Sequence, residues 1–160
     1  MEPVHEGKCA CGQVYYKMHG PPMFVHCCHC RWCQRETGAA FAIIALVESD
    51  RVEVVKGQPE AVEIPSESGK GQTIWRCPDC QVAVWGSYGL ASERVYFIRV
   101  GTLLNPDVMP PDIHIYVSSK QPWVNLDDGK PQMEEFYSRR EQWPAASLDR
   151  LQALPGKVEE

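Results

Sequence analysis

Short runs of β-branched and aromatic residues, interrupted by Gly, Pro and Ser, recur along most of the chain. Residues 14–16, 41–47, 52–54, 62–64, 95–100 and 113–117 each have this form, which predicts strands of about five residues. In the last of these, Ile113, Ile115 and Val117 alternate with His114, Tyr116 and Ser118, so one face is expected to be buried and the other wet or functional. Residues 66–71 and 105–112 carry the Gly and Pro density of exposed loops, and Pro110-Pro111 excludes regular helix there. After Trp123 the pattern changes. A turn-rich connector leads to Met133, Phe136, Tyr137 and Arg140 at helical spacing, then to Ser147 as an N-cap for Leu148, Leu151 and Leu154. One or two short helices packing their apolar stripe on the sheet are expected, with a frayed end at residues 157–160. The fold class is therefore mainly β, as one domain over residues 1–124 with a C-terminal extension, residues 125–160, packed on it.

Composition narrows the classes of function. A chain of 160 residues with 44% hydrophobic content fits a single core. A net charge of -5 and no basic run argue against a nucleic-acid partner, which needs clustered Lys and Arg. The longest apolar run, residues 39–47, is too short to cross a bilayer, and residues 1–12 lack the apolar core of a signal peptide. A soluble, cytoplasmic protein is expected, without nucleic-acid or membrane partners; a homo-oligomer is compatible with this composition.

The chemistry lies in the cysteines. His26-Cys27-Cys28-His29-Cys30-Arg31-Trp32-Cys33 packs four thiols and two imidazoles into eight residues, a donor set for a soft dication such as Zn²⁺ and a poor apolar strip. In a reducing cytosol the eight cysteines stay available to metal rather than forming disulfides. Cys9-x-Cys11, the central cluster and Cys77-Pro78-Asp79-Cys80 make three separated chelating groups, implying two metals. No P-loop, dinucleotide-binding or HExxH motif competes.

Gly7-Lys8-Cys9-Ala10-Cys11-Gly12, Cys28-His29-Cys30-Arg31-Trp32-Cys33-Gln34-Arg35-Glu36-Thr37-Gly38, Cys77-Pro78-Asp79-Cys80, His114-Ile115-Tyr116 and Lys120-Gln121-Pro122-Trp123 together resemble the glutathione-dependent formaldehyde-activating enzyme family, which includes centromere protein V. The resemblance implies a β-tent of short antiparallel sheets organised around two zinc ions. It places a structural zinc on Cys9, Cys11, Cys77 and Cys80, and a catalytic zinc on Cys28, Cys30 and Cys33. It also implies carbon–sulfur lyase activity joining glutathione, or a similar thiol, to a small aldehyde. The spacings agree with that division. A closed four-sulfur site joins distant segments, whereas three local thiolates leave a position open. His114 is a candidate proton relay or a structural histidine, and Arg31 and Arg35 are candidate anchors for a glutathione carboxylate. Cys27 is read as a buried neighbour of Cys28, because adjacent side chains in extended chain face opposite ways. His26 and His29 are read as hydrogen-bonding or surface groups rather than ligands. Trp123 is read as core or pocket wall. Gln81 stands where the family commonly has Gly, which puts the local backbone conformation in question. The alternatives to an enzyme are a non-catalytic zinc-stabilised binding module and a redox-sensing or metal-storage protein.

Overall fold

The computed structural model describes residues 1–89, 92–156 and 158. Among the described residues, ten strands form two sheets. The smaller has the order β1 (Val4–Lys8), β2 (Tyr15–His19), β5 (Val52–Lys56). The larger has seven strands in the order β10 (Ile113–Ile115), β3 (Phe24–Cys28), β4 (Ala42–Glu48), β9 (Val95–Arg99), β8 (Ala83–Ser87), β7 (Gln72–Arg76), β6 (Glu60–Ile64). Every pairing is antiparallel except β10 on β3, which is parallel. Three short α-helices lie among the described residues: α1 (Arg31–Thr37), α2 (Arg139–Gln142) and α3 (Ala145–Gln152). No helix among the described residues is long and apolar enough to cross a membrane.

The continuous apolar run at residues 41–47 becomes β4, buried on both faces, and it sorts the core into two halves. Ala45 and Val47 join Tyr16 and Met18 of the small sheet with Val25, Val84, Trp85 and Ile98. Ala42, Ile44 and Leu46 point the other way, to Phe24, Ile113, Ile115 and the C-terminal Trp143 and Leu151. The small sheet thus covers one face of the large sheet and the C-terminal segment covers part of the other.

That segment departs from the helical expectation. Residues 131–137 form no helix; they run as a strap along the free edge of β10, with Met133 N donating to His114 O (2.9 Å) and Tyr116 N to Glu135 O (2.9 Å). The edge amides and carbonyls that a helix would leave unpaired are satisfied this way. Ser147 lies inside α3 rather than capping it, because the helix starts after Pro144, and its hydroxyl donates to Met23 O (2.7 Å), pinning α3 to the sheet. Trp123 is 73% exposed, neither core nor pocket wall; Trp143 fills the buried position instead. Of the end expected to fray, only Val158 is described, and it packs against the second core half.

Two tight turns bring Cys9, Cys11, Cys77 and Cys80 together from the β1–β2 and β7–β8 connections. Their geometry repeats. Cys9 N donates to Val14 O (3.1 Å) and Cys77 N to Val82 O (3.0 Å). In the first turn Gly12 has φ 76°; in the second Gln81 takes the same left-handed region at φ 62°. The backbone that the turn demands therefore forms without glycine, helped by Gln81 N donating to Cys77 O (3.0 Å) and its side chain to Pro78 O (2.9 Å). A side chain held in that region costs about 1–2 kcal/mol. Gln81→Gly is accordingly expected to stabilise the zinc-loaded protein by about 0.5–1 kcal/mol in chemical unfolding, since the side-chain bond it removes is solvent-exposed. A loss of stability would show that the bond to Pro78 outweighs the backbone strain.

Candidate metal centre and cavity

Sulfur spacing tests whether the four-cysteine cluster fits zinc. A tetrahedral ion with Zn–S of about 2.3 Å sets sulfurs about 3.75 Å apart. Cys9 and Cys11 Sγ are 3.6 Å apart, and Cys11 and Cys77 Sγ 3.7 Å. The Val14 amide donates to Cys9 Sγ (3.2 Å), the kind of contact that steadies a thiolate. The four residues fit the ion as a closed site.

The second group, Cys28, Cys30 and Cys33, sits where β3 ends and α1 begins. Cys30 caps the helix: its sulfur accepts from Cys33 N (3.3 Å), which turns Cys33 back beside it. Without metal the three sulfurs share charge unequally. Hydrogen bonds from the Cys28 and Cys33 thiols hold the Cys30 pKa far below the usual thiol range. Cys28 is pushed up, chiefly by the hydrogen bonds it gives to Cys30 and Cys33 and by burial. Cys33 is pushed up to about 12, because a hydrogen bond from Cys28 that lowers it is outweighed by the bond it gives to Cys30 and by burial. Among the described residues no fourth ligating side chain joins these three.

The same sulfurs line a cavity of about 800 Å³ on the C-terminal side of the large sheet. Ile44, Leu46, Phe97 and Trp143 supply apolar wall, and Tyr116, Ser118 and Ser119 supply hydroxyls. Arg31 and Arg35, the expected carboxylate anchors, both line it and are exposed at its mouth. Two residues that the sequence did not single out fix the helix bearing these groups. Glu36, with a side chain only 6% exposed, accepts from Arg76 of β7 and Arg99 of β9, each at 2.7 Å. Buried Gln34 donates to His29 O (2.8 Å) and Ser119 O (3.0 Å), tying α1 to the chain before it and to the end of β10. Neither residue carries a local signal, since Glu36 acts through partners 40 and 63 residues away and Gln34 through one 85 residues away.

His26 lines the cavity but joins neither sulfur cluster. Trp143 Nε1 donates to the Tyr137 oxygen (2.6 Å), and the Tyr137 hydroxyl hydrogen-bonds His26 Nε2. Burial, then the charge of Arg139, lowers the His26 pKa to about 3, so the ring is a neutral acceptor. His114 is not among the cavity-lining residues. Ile113 and Ile115 of β10 face the cavity-side core, and His114 points to the opposite face, where it meets Cys27 and His29. The face expected to be wet or functional is closed to solvent at His114, which is 4% exposed.

The unequal charge on the trio has a consequence for loading. Zinc takes thiolates, so the protons held on Cys28 and Cys33 must leave when the ion enters. Raised pKa values mean that these protons are bound at neutral pH, so affinity rises with pH and weakens as pH falls. Loading this site in protein whose four-cysteine cluster is already filled should release about two protons near pH 7 to an indicator in weak buffer. Loading without proton release would contradict this charge distribution.

The family model described as glutathione-dependent formaldehyde-activating enzyme matches residues 4–119. A crystal structure of a Rhodobacter sphaeroides protein is similar at 18% identity with a TM-score of 0.45, covering 80% of this chain and 98% of that one. The family match spans well over half of the sequence and takes in all eight cysteines, so the chain belongs to the glutathione-dependent formaldehyde-activating enzyme family.

Proposed function

We propose that this protein is a zinc-dependent carbon–sulfur lyase that joins a thiol, glutathione or one like it, to a small aldehyde such as formaldehyde. The observation that carries this reading is the three-sulfur group Cys28, Cys30 and Cys33 at the wall of a cavity of about 800 Å³, with two arginines at its mouth. A cavity of that size suits a tripeptide thiol. Zinc held by the three thiolates would be a weak Lewis acid toward water but would keep an incoming thiol in its thiolate form.

The chain's own residues supply the rest. Arg31 and Arg35 face the solvent side of the cavity, where the carboxylates of a peptide thiol would lie. The apolar wall of Ile44, Leu46, Phe97 and Trp143 limits water around the reacting carbon. In the addition the thiolate sulfur bonds to the carbonyl carbon, the carbonyl π pair moves to oxygen, and that oxygen takes a proton. Tyr116 is placed to give it. Burial, then the charge of Cys30, raises its pKa, so the phenol stays protonated beside the sulfurs. The left-handed backbone of Tyr116 (φ 55°) ends β10 and turns the ring toward the cavity. His114, the other candidate for this relay, stands behind the sheet and would influence the reaction only through the strand it belongs to.

The test is the rate of S-hydroxymethyl adduct formation from glutathione and formaldehyde, after subtracting the uncatalysed reaction. Zinc-loaded protein should exceed background, and Cys30→Ala should abolish the excess. Arg31→Ala with Arg35→Ala should raise KM for glutathione about tenfold with little effect on kcat. Tyr116→Phe should lower kcat about 100-fold or more. Background rates with protein that still binds glutathione would replace the lyase with a binding module.

A further inference from the structure

Behind the three-sulfur group, on the other face of the large sheet, Cys27 Sγ, His29 Nε2 and His114 Nδ1 converge within 4.8 Å of one another. All three residues are buried, at 2%, 0% and 4% exposure. Cys27 and His114 are directly paired across β3 and β10, and His29 follows β3 by one residue, so the strand register itself brings them together. From these atoms we propose a third metal site, for a thiophilic ion of the Zn²⁺ type, separate from both sulfur clusters.

The distances match an ion's coordination edges. For Zn–N of about 2.05 Å and Zn–S of about 2.3 Å, a tetrahedron sets two nitrogens about 3.3 Å apart and nitrogen and sulfur about 3.6 Å apart. His29 Nε2 lies 3.1 Å from His114 Nδ1 and 3.5 Å from Cys27 Sγ. The protonation of His114 points the same way. Its Nε2 meets Asp128 Oδ2 at 2.8 Å, so Nε2 carries the proton and donates it, leaving the Nδ1 lone pair aimed into the cluster. A carboxylate behind a ring nitrogen is the usual arrangement for orienting a metal-bound histidine and raising its basicity. His29 presents Nε2 to both neighbours, with its ring packed against Phe41; ligation through Nε2 puts the ring proton on Nδ1, which has no hydrogen-bond partner among the described residues. A single proton on His29 Nε2 can serve one of its two neighbours well, whereas an ion satisfies all three. The ion's remaining position falls to a small ligand such as water.

The site would also act on its neighbour. Cys27 and His29 alternate with Cys28 and Cys30 along the chain, so an ion gripping the first pair from behind holds the segment that presents the second pair to the cavity. The proposal rests on this geometry alone and stands or falls independently of the lyase reading.

Cadmium is the probe, because each donor set gives its own ¹¹³Cd resonance. Titrating the metal-free full chain with ¹¹³Cd²⁺ should end with three resonances, the extra one from one thiolate and two imidazoles. Cys27→Ser should remove that resonance and leave the other two. Asp128→Asn, a near-isosteric change at a side chain 40% exposed, should weaken binding at this site about 10–100-fold. If Cys27→Ser fails to fold, Asp128→Asn decides alone. Saturation with two resonances, or a third whose affinity neither variant changes, would overturn the proposal.

Discussion

In β3 neighbouring side chains leave the backbone in opposite directions, and because all five of its residues are buried, each is committed to one of two interiors. That alternation decides which sulfurs can meet. Cys28 is sent to the face where Cys30 and Cys33 of the following turn also lie, and Cys27 is sent to the face of His29 and His114. Four thiols and two imidazoles within eight residues thus separate into two constellations with different donor sets. A shift of one residue in the pairing of β3 with β4 or β10 would exchange them.

The register is protected from both sides. β4 is buried on each face, so a slip would carry its apolar set nowhere useful, and the 131–135 strap pairs the outer edge of β10. The four-cysteine cluster fastens the small sheet's β1–β2 turn to the β7–β8 turn at the far part of the large sheet; zinc in such a closed site contributes roughly 10 kcal/mol of apparent folding free energy. Glu36 then carries this rigidity to the reactive side, since its two arginines stand on β7 and β9 while its own helix holds Cys33. A buried carboxylate shared between two guanidinium groups is strongly position-determining, because loss of either partner leaves charge unpaired in the interior.

Much of this was legible in the sequence. The cysteine spacing carried the family and its division into a closed and an open sulfur group, and the β-branched runs marked six strands. Four strands escaped notice, β1, β3, β7 and β8, the first two for identifiable reasons. β1 (Val4–Lys8) is short and polar because it is an edge, and β3 was masked by its own chemistry, its thiols and imidazoles reading as a site rather than as a buried strand. The helical spacing of Met133, Phe136 and Tyr137 misled because an unpaired sheet edge took precedence over side-chain periodicity. Opposite-face alternation correctly separated Cys27 from Cys28, yet what waits for Cys27 on its own face depends on β10, some 85 residues away, and on the Asp128 turn, which local pattern does not connect. Glu36 and Gln34 were silent for the same reason: their distant partners are set by topology.

The central claim is that the open three-sulfur group receives a thiol from the cavity, and the charge-transfer spectrum of the cobalt-substituted protein tests it most directly. With the four-cysteine cluster held by zinc and the Cys28, Cys30 and Cys33 group by cobalt, glutathione should add a fourth thiolate. Sulfur-to-cobalt absorption should then grow and saturate at one equivalent. An unchanged spectrum with glutathione and with other small thiols would contradict the account.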